Sequence, residues 1–364
     1  MKKFLTTTLI FFCLPFMFIT ILEVVILPPN FFTYSIFSAI VYNSNFPHIG
    51  NFYPNVKLES IEEGDLGHHT IYSIPKKSIW ITDKFGYRNN EFIEQADILL
   101  IGDSFIHGGG LTQEQTITRV LSSRFSDSLK VYNFAVANLS DFDCFLKKGF
   151  IKKPKMIIFE KVERNNVSEI ILFNNKKSWE DKLKIINKIV NDNGLSVLPD
   201  RFLKFSFFNW CSARLKDKPS LGIPSPVDSK MLFLQGKKAI QRNENDLKNN
   251  VNVISIYKKY CDSLEIEFLY LPIPNKESVY YKLVPFQKQP NYLFKLDSLL
   301  SKSNIPTVNT LKVYNEWILK NENNKELLYH YDDSHWNANG VNIVADELEK
   351  LIRGNKKFNK IISK

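Results

Sequence analysis

Apolar residues run almost unbroken from Phe4 to Leu27, thin out over the next seventy positions, and return after Asp97 in a new rhythm. The first run, "FLTTTLIFFCLPFMFITILEVVIL", is interrupted only by threonines and Glu23. About 20 apolar residues cross a bilayer, so this run is long enough to span one. A cleaved leader has a core of roughly 7–15 residues and a small-residue cleavage site. No such site precedes Pro28-Pro29, and Lys2 and Lys3 flank the run on its N-terminal side. The pattern predicts an uncleaved anchor over 1–27 with its positive end in the cytoplasm. The rest of the chain is then expected on the periplasmic side of a bacterial inner membrane.

Residues 28–95 read as a turn-rich, membrane-proximal extension. "FYPN", "EEGD" and "DKFGYRNN" separate short extended runs such as "TIYSI" and "SIWIT". "FFTYSIFSAIVY" is too short to span and suits an interface. From 96 onward apolar runs of strand type alternate with helical stripes. The strands are "DILLIGD", "KVYNFAVA", "KMIIFEKV" and "EIEFLYLPIP". Helices are expected over 112–126, opened by a capping box of Thr112 and Gln115, and near 141–150, 245–264 and 291–303. A final helix follows in "ANGVNIVADELEKLIRG". Such alternation predicts an α/β domain over 96–364, its parallel sheet covered by helices on both faces. The rhythm breaks at about 165–244, an insertion holding "SWEDKLKIINKIVND" and the aromatic, basic "RFLKFSFFNWCSARLK". Such inserts serve as lids, partner surfaces or simply packed helices.

Charge narrows the partners. Lys and Arg number 48 against 38 Asp and Glu, a net +10. Solvated lysines explain that balance as well as an anionic partner does. No zinc-finger spacing or RNA-binding aromatic motif accompanies it, so nucleic acid is not expected. Of four cysteines, Cys13 lies in the anchor; Cys144, Cys211 and Cys261 allow at most one disulfide.

Two stretches carry chemistry. In "DILLIGDSFIHGGG" Ser104 follows a strand and precedes a glycine-rich bend whose N–H groups can converge on an anion. It is either a turn residue or a nucleophile at the carboxyl end of the sheet, where α/β chemistry gathers. In "YHYDDSHWNANG" (329–340) Asp333 and His335 are spaced for an acid that orients an imidazole base. Structural alternatives are a helix cap at Asp333 or Asn337 with a packed His335. A metal set of His330, Asp332, Asp333 and His335 is a further alternative; the expectation is of no metal and no organic cofactor.

"IGDSF" and "DSHWNANG", in that order at the two ends of an α/β pattern, resemble the first and last blocks of the SGNH (GDSL-type) hydrolases. The likeness covers about 96–354 without the insert. It implies the three-layer, flavodoxin-like SGNH fold, with Ser104 as nucleophile, His335 as base and Asp333 as acid. A D-x-x-H spacing would select Asp332 instead. "VYNFAVANLS" stands at the second block, with Ala135 and Asn138 where glycines are usual, so Asn138 is the candidate oxyanion donor there. "FEKVERNN" replaces the third block, and there Arg164 or Asn165 is either the substitute donor or purely structural.

The His-Trp pair and "PIPNKESVYY" (272–281) are similar to SGNH-like domains of alginate O-acetylation proteins, although in those the acid and histidine precede the serine. That likeness places Lys276 and Tyr280 along the substrate; a structural turn after the strand is the alternative. It implies a serine esterase or O-acetyltransferase acting on O-acyl groups of a cell-surface polysaccharide, with a membrane acyl-donor protein as a partner. A catalytically inactive carbohydrate-binding or assembly protein of the same fold is the alternative, and a lipase-type enzyme a weaker one.

Overall fold

The computed structural model describes residues 2–42, 50–173, 197–204, 206–216, 222–234, 242–286, 288–321, 326–355 and Phe358. The chain is mixed α/β, led by an apolar helix, α1 (Lys2–Ile21), continued by a π-helical turn over Leu22–Ile26. Thr6–Ile26 is long and apolar enough to cross a membrane, and none of it is buried within the protein.

A short helix α2 (Ile36–Ile40) and an antiparallel hairpin of β1 (Lys57–Glu62) and β2 (Lys76–Ile81) form the extension. They build a small core of their own from Ile36, Ala39, Ile40, Tyr42, Phe52, Tyr53 and Trp80. "TIYSI", expected as extended, is a turn: Thr70 Oγ1 donates to Gly67 O at 2.7 Å and accepts from Tyr72 N at 3.2 Å. A hydroxyl that closes its own backbone turn outcompetes strand pairing.

The main sheet has four parallel strands: β3 (Ile98–Gly102), β4 (Val131–Ala135), β5 (Met156–Val162) and β8 (Glu267–Ile273), in the order β4-β3-β5-β8. All five residues of β3 are buried, as a strand flanked and covered on all sides requires. Its neighbours belong to later strands on either side, so the chain reverses direction across the sheet at β3. The crevice beyond such a reversal is where α/β proteins place ligands.

Between these strands lie α3 (Ser104–His107), α4 (Ile117–Arg124) and α5 (Leu139–Lys147). The helix expected over 112–126 is divided: the capping box of Thr112 and Gln115 opens a short 3-10 turn, and α4 starts only after Thr116. Two insert helices follow, α6 (Val197–Lys204) and α7 (Ser206–Lys216), then a small antiparallel pair, β6 (Gly222–Pro224) and β7 (Leu232–Leu234). The amphipathic "SWEDKLKIINKIVND" lies outside the described residues. The chain closes with α8 (Glu244–Ser263), α9 (Lys276–Val279), α10 (Tyr292–Lys302), α11 (Thr310–Lys320) and α12 (Ala338–Gly354). Helix α11 was not anticipated from the pattern.

The insert grips the base of the leading apolar helix. The Glu23 carboxylate accepts from the amides of Ser206 at 2.7 Å and Phe207 at 3.2 Å, satisfying the free N–H groups that open α7. Arg201 donates to the carbonyls of Glu23 and Leu27, and Phe208 stacks on Phe16 at 5.8 Å. The acid that interrupts the apolar run is therefore a helix cap.

Candidate functional site

Asp103 caps α3, accepting from Phe105 N at 3.3 Å, and so sets Ser104 on the first turn. The amides of a helix's first turn have no intrahelical acceptor, and the Ser104 N–H is one of these. The bend after it is pinned from behind by buried Arg88, which donates to the carbonyls of Gly108 and Leu111, each at 2.7 Å, and of His107 at 3.1 Å. Gly108 has φ +86°, a left-handed conformation that glycine adopts without strain. At Gly109 a Cβ would stand 3.0 Å from the His335 ring, so a bare backbone is what lets the imidazole come close.

His335 comes from the other end of the chain, in a tight loop closed by a Tyr329–Trp336 bridge. Its Nε2 lies 2.7 Å from Ser104 Oγ, and its Nδ1 lies 2.6 Å from Asp333 Oδ1. Asp333 Oδ1 also accepts the His335 amide at 3.0 Å, which fixes acid and base relative to one another. Asp333 is therefore the acid beside the base. Asp332 points away, accepting from the amides of Gly64 at 2.9 Å and Ile74 at 2.8 Å, and lies 3.7 Å from Lys76. Burial raises the Asp333 carboxyl, but the opposed charges of His335 and Lys76 outweigh it and hold it well below the usual range. Burial likewise depresses His335, and Asp333, aided by Asp65, more than reverses this, leaving the imidazole above its ordinary value.

Asp65 was missed in the sequence, where "EEGD" reads as a turn. Its Oδ2 lies 3.8 Å from His335 Nδ1, its carboxylate accepts from Ser334 N at 2.7 Å and Ser334 Oγ at 2.6 Å, and burial with repulsion from Asp333 pushes it up to about 6. The extension thus supplies part of the site.

A pocket of about 280 Å³ opens over Ser104 and His335; its walls include Tyr34, Phe37, Glu62, Asp65, Trp80 and His107, and Arg164 lies on its rim. Arg164, expected as an oxyanion donor, thus shares the pocket with Ser104 and is steadied by Asn275 Oδ1 at 3.3 Å.

Three expectations are corrected. The amide of Asn138 donates to Asp141 Oδ2 at 2.8 Å, because Asn138 caps α5, and so is not free to hold an oxyanion. Lys276 does not line the pocket: it is buried, and its Nζ donates to the carbonyls of Leu232, His330, Tyr331 and Asp333 at 2.5–3.1 Å. Tyr280 is also structural, its hydroxyl accepting the Leu328 amide at 2.7 Å. Both residues brace the loop that carries His335.

The four metal-ligand candidates do not assemble as a set. Asp333 and His335 group instead with Asp65, their ligand atoms within 4.8 Å of one another, while His330 and Asp332 stand outside that group. The three clustered side chains are already engaged: His335 with Ser104 and with Asp333, and Asp65 with Ser334.

No protein-family model matches the chain. No curated protein matches it either.

Proposed function

We propose that this chain is a membrane-anchored, periplasmic serine enzyme of the SGNH type that acts on O-acyl groups, most simply acetyl esters, of a cell-surface polysaccharide. The observation that carries the reading is the unbroken line Ser104 Oγ–His335 Nε2 and His335 Nδ1–Asp333 Oδ1, at 2.7 and 2.6 Å. It is the arrangement in which a weak alcohol becomes a nucleophile, with the base oriented by a buried acid.

Ser104 Oγ attacks the ester carbonyl as its proton passes to His335 Nε2, and the imidazolium is stabilised by Asp333. The negative charge that develops on the carbonyl oxygen faces the Ser104 N–H and Arg164. Collapse expels the sugar alkoxide, which takes the proton from Nε2 and leaves an acyl ester on Ser104. Water attacks that ester with His335 again as base, giving carboxylic acid and free serine. A second sugar hydroxyl in place of water gives transfer. A membrane acyl-donor protein is the natural source of acyl groups in that mode.

A second reading, an SGNH-like body that binds carbohydrate without turnover, gains from one observation: the Asn138 amide is already taken by Asp141. An oxyanion donor is worth about 2.7–4 kcal/mol of barrier, so its loss is consequential. The deciding experiment incubates the full chain with a serine-reactive fluorophosphonate and locates the adduct by mass spectrometry. Modification at Ser104, with ester turnover abolished in Ser104→Ala, supports the enzyme. An unmodified Ser104, or equal turnover by a folded Ser104→Ala protein, sinks it in favour of binding.

A further inference from the structure

Two buried polar side chains in the wall of the Ser104 pocket keep polar atoms without a partner among the described residues. Glu62 is 2 % exposed; its Oε1 accepts from Ile36 N at 2.5 Å, while its Oε2 has no hydrogen-bond partner among the described residues. His107 is 1 % exposed, and neither ring nitrogen has a hydrogen-bond partner among the described residues. The ring is held by stacking on Phe37 at 5.1 Å and by contacts with Phe52 and Trp80 at 5.5 and 5.4 Å. Burial, with the neighbouring His335 and Arg88, keeps His107 neutral. Neither residue takes part in the Ser104–His335–Asp333 line.

Buried polar groups are normally bonded, so each exception asks for an explanation. A carboxylate oxygen can only accept, and a neutral imidazole offers one acceptor and one donor. The complement is a ligand with hydroxyl groups. Tyr34 and Phe37, both partly exposed, line the same pocket and offer aromatic surface to an apolar ring face. Glu62, Glu63, Asp65 and Asp333 also line it, against Arg164. Glu63 is partly offset by Arg214 at 3.6 Å. A second carboxylate brought onto Glu62 and Asp65 would meet like charge away from bulk water, where repulsion is poorly screened.

We propose that Glu62 and His107 form a subsite for a free hydroxyl of a neutral sugar, beside the ester whose carbonyl carbon Ser104 attacks, and that this subsite discriminates against uronic acids. The hydroxyl donates to Glu62 Oε2, and His107 bonds a neighbouring hydroxyl. This rests on the enzyme reading above and narrows its substrate to neutral glycans.

The test uses the full chain in nanodiscs with monoacetylated methyl glucopyranoside and monoacetylated methyl glucuronide. The expected kcat/KM is at least tenfold higher for the neutral ester. Glu62→Gln, which keeps an acceptor for Ile36 N, should lower that ratio about tenfold, and His107→Phe, which keeps the stack on Phe37, should raise KM for the neutral ester. Thermal melts confirm that each variant is folded. Saturation-transfer NMR of methyl glucopyranoside and methyl glucuronide with Ser104→Ala reads the subsite without turnover, and binding of the neutral sugar alone is expected. Turnover that survives Ser104→Ala overturns the enzyme reading by itself. Equal use and equal binding of the two sugars, or an unchanged ratio in folded Glu62→Gln, overturns the subsite even where Ser104 proves essential.

Discussion

Asp65 Oδ2 stands 3.8 Å from His335 Nδ1, so two carboxylates, one from each end of the chain, approach the same nitrogen of the imidazole that faces Ser104. Asp333 is bonded to it directly, and Asp65 acts through space while tied to Ser334.

That second carboxylate sets a pH dependence. His335 must be neutral to accept the serine proton, and its pKa is raised above the ordinary value of about 6.5. Turnover is therefore expected to fall as pH drops through that raised value, an acid limb lying above 6.5. Asp65 contributes to the rise, so Asp65→Asn should move the limb to lower pH. A pH profile of kcat/KM measures it; a limb that stays put or moves upward contradicts the electrostatic role.

Adjacent acids should separate cleanly. Asp333→Asn leaves an acceptor in place but removes the charge behind the imidazole, and about a 10⁴-fold loss of kcat is expected with the fold retained. Asp332→Asn should instead cost stability, about 1–3 kcal/mol from weakened bonds to Gly64 and Ile74, with a far smaller kinetic effect. Paired kinetics and thermal melts decide it, and the reverse pattern would make Asp332 the acid.

Gly109→Ala adds one methyl group where the His335 ring is 3.0 Å away. Displacing a base by about 1 Å costs on the order of 10²-fold in rate. The variant should melt near the wild-type temperature while kcat falls by roughly that factor. Unaltered kinetics would show that the ring has room to retreat.

Lys276→Met strips the donor shared by the carbonyls of Leu232, His330, Tyr331 and Asp333. Buried acceptors left without donors cost about 1–3 kcal/mol each, so a loss of at least about 3 kcal/mol is expected in chemical denaturation. A variant as stable as the wild type would return Lys276 to the list of substrate contacts.

The parallel sheet was legible because β3, β4, β5 and β8 are continuous apolar runs separated by helical stripes, and periodicity reports burial directly. Ser104, Asp333 and His335 were legible because each lies in a short stretch of unusual residues at an element boundary. Asp65 carried no such signal. Its role exists only because a turn between β1 and β2 packs on a loop from the far end of the chain, and local sequence does not encode that contact. Asn138 misled for the opposite reason: a cap and an oxyanion donor draw on the same residue types, and Asp141 three positions on had already claimed the amide. Lys276 and Tyr280 misled because position after a strand says nothing about which way a side chain turns.

Glu23 closing the end of α7 shortens the leash. On the reading that the leading helix crosses a bilayer, the insert cannot swing out on a long stalk. Arg214 of that insert reaches Glu63 at 3.6 Å, beside the pocket mouth. Under the proposed function, the Ser104 pocket would then work only within a thin shell beside the lipid headgroups, and its substrates would be met by lateral search along the membrane.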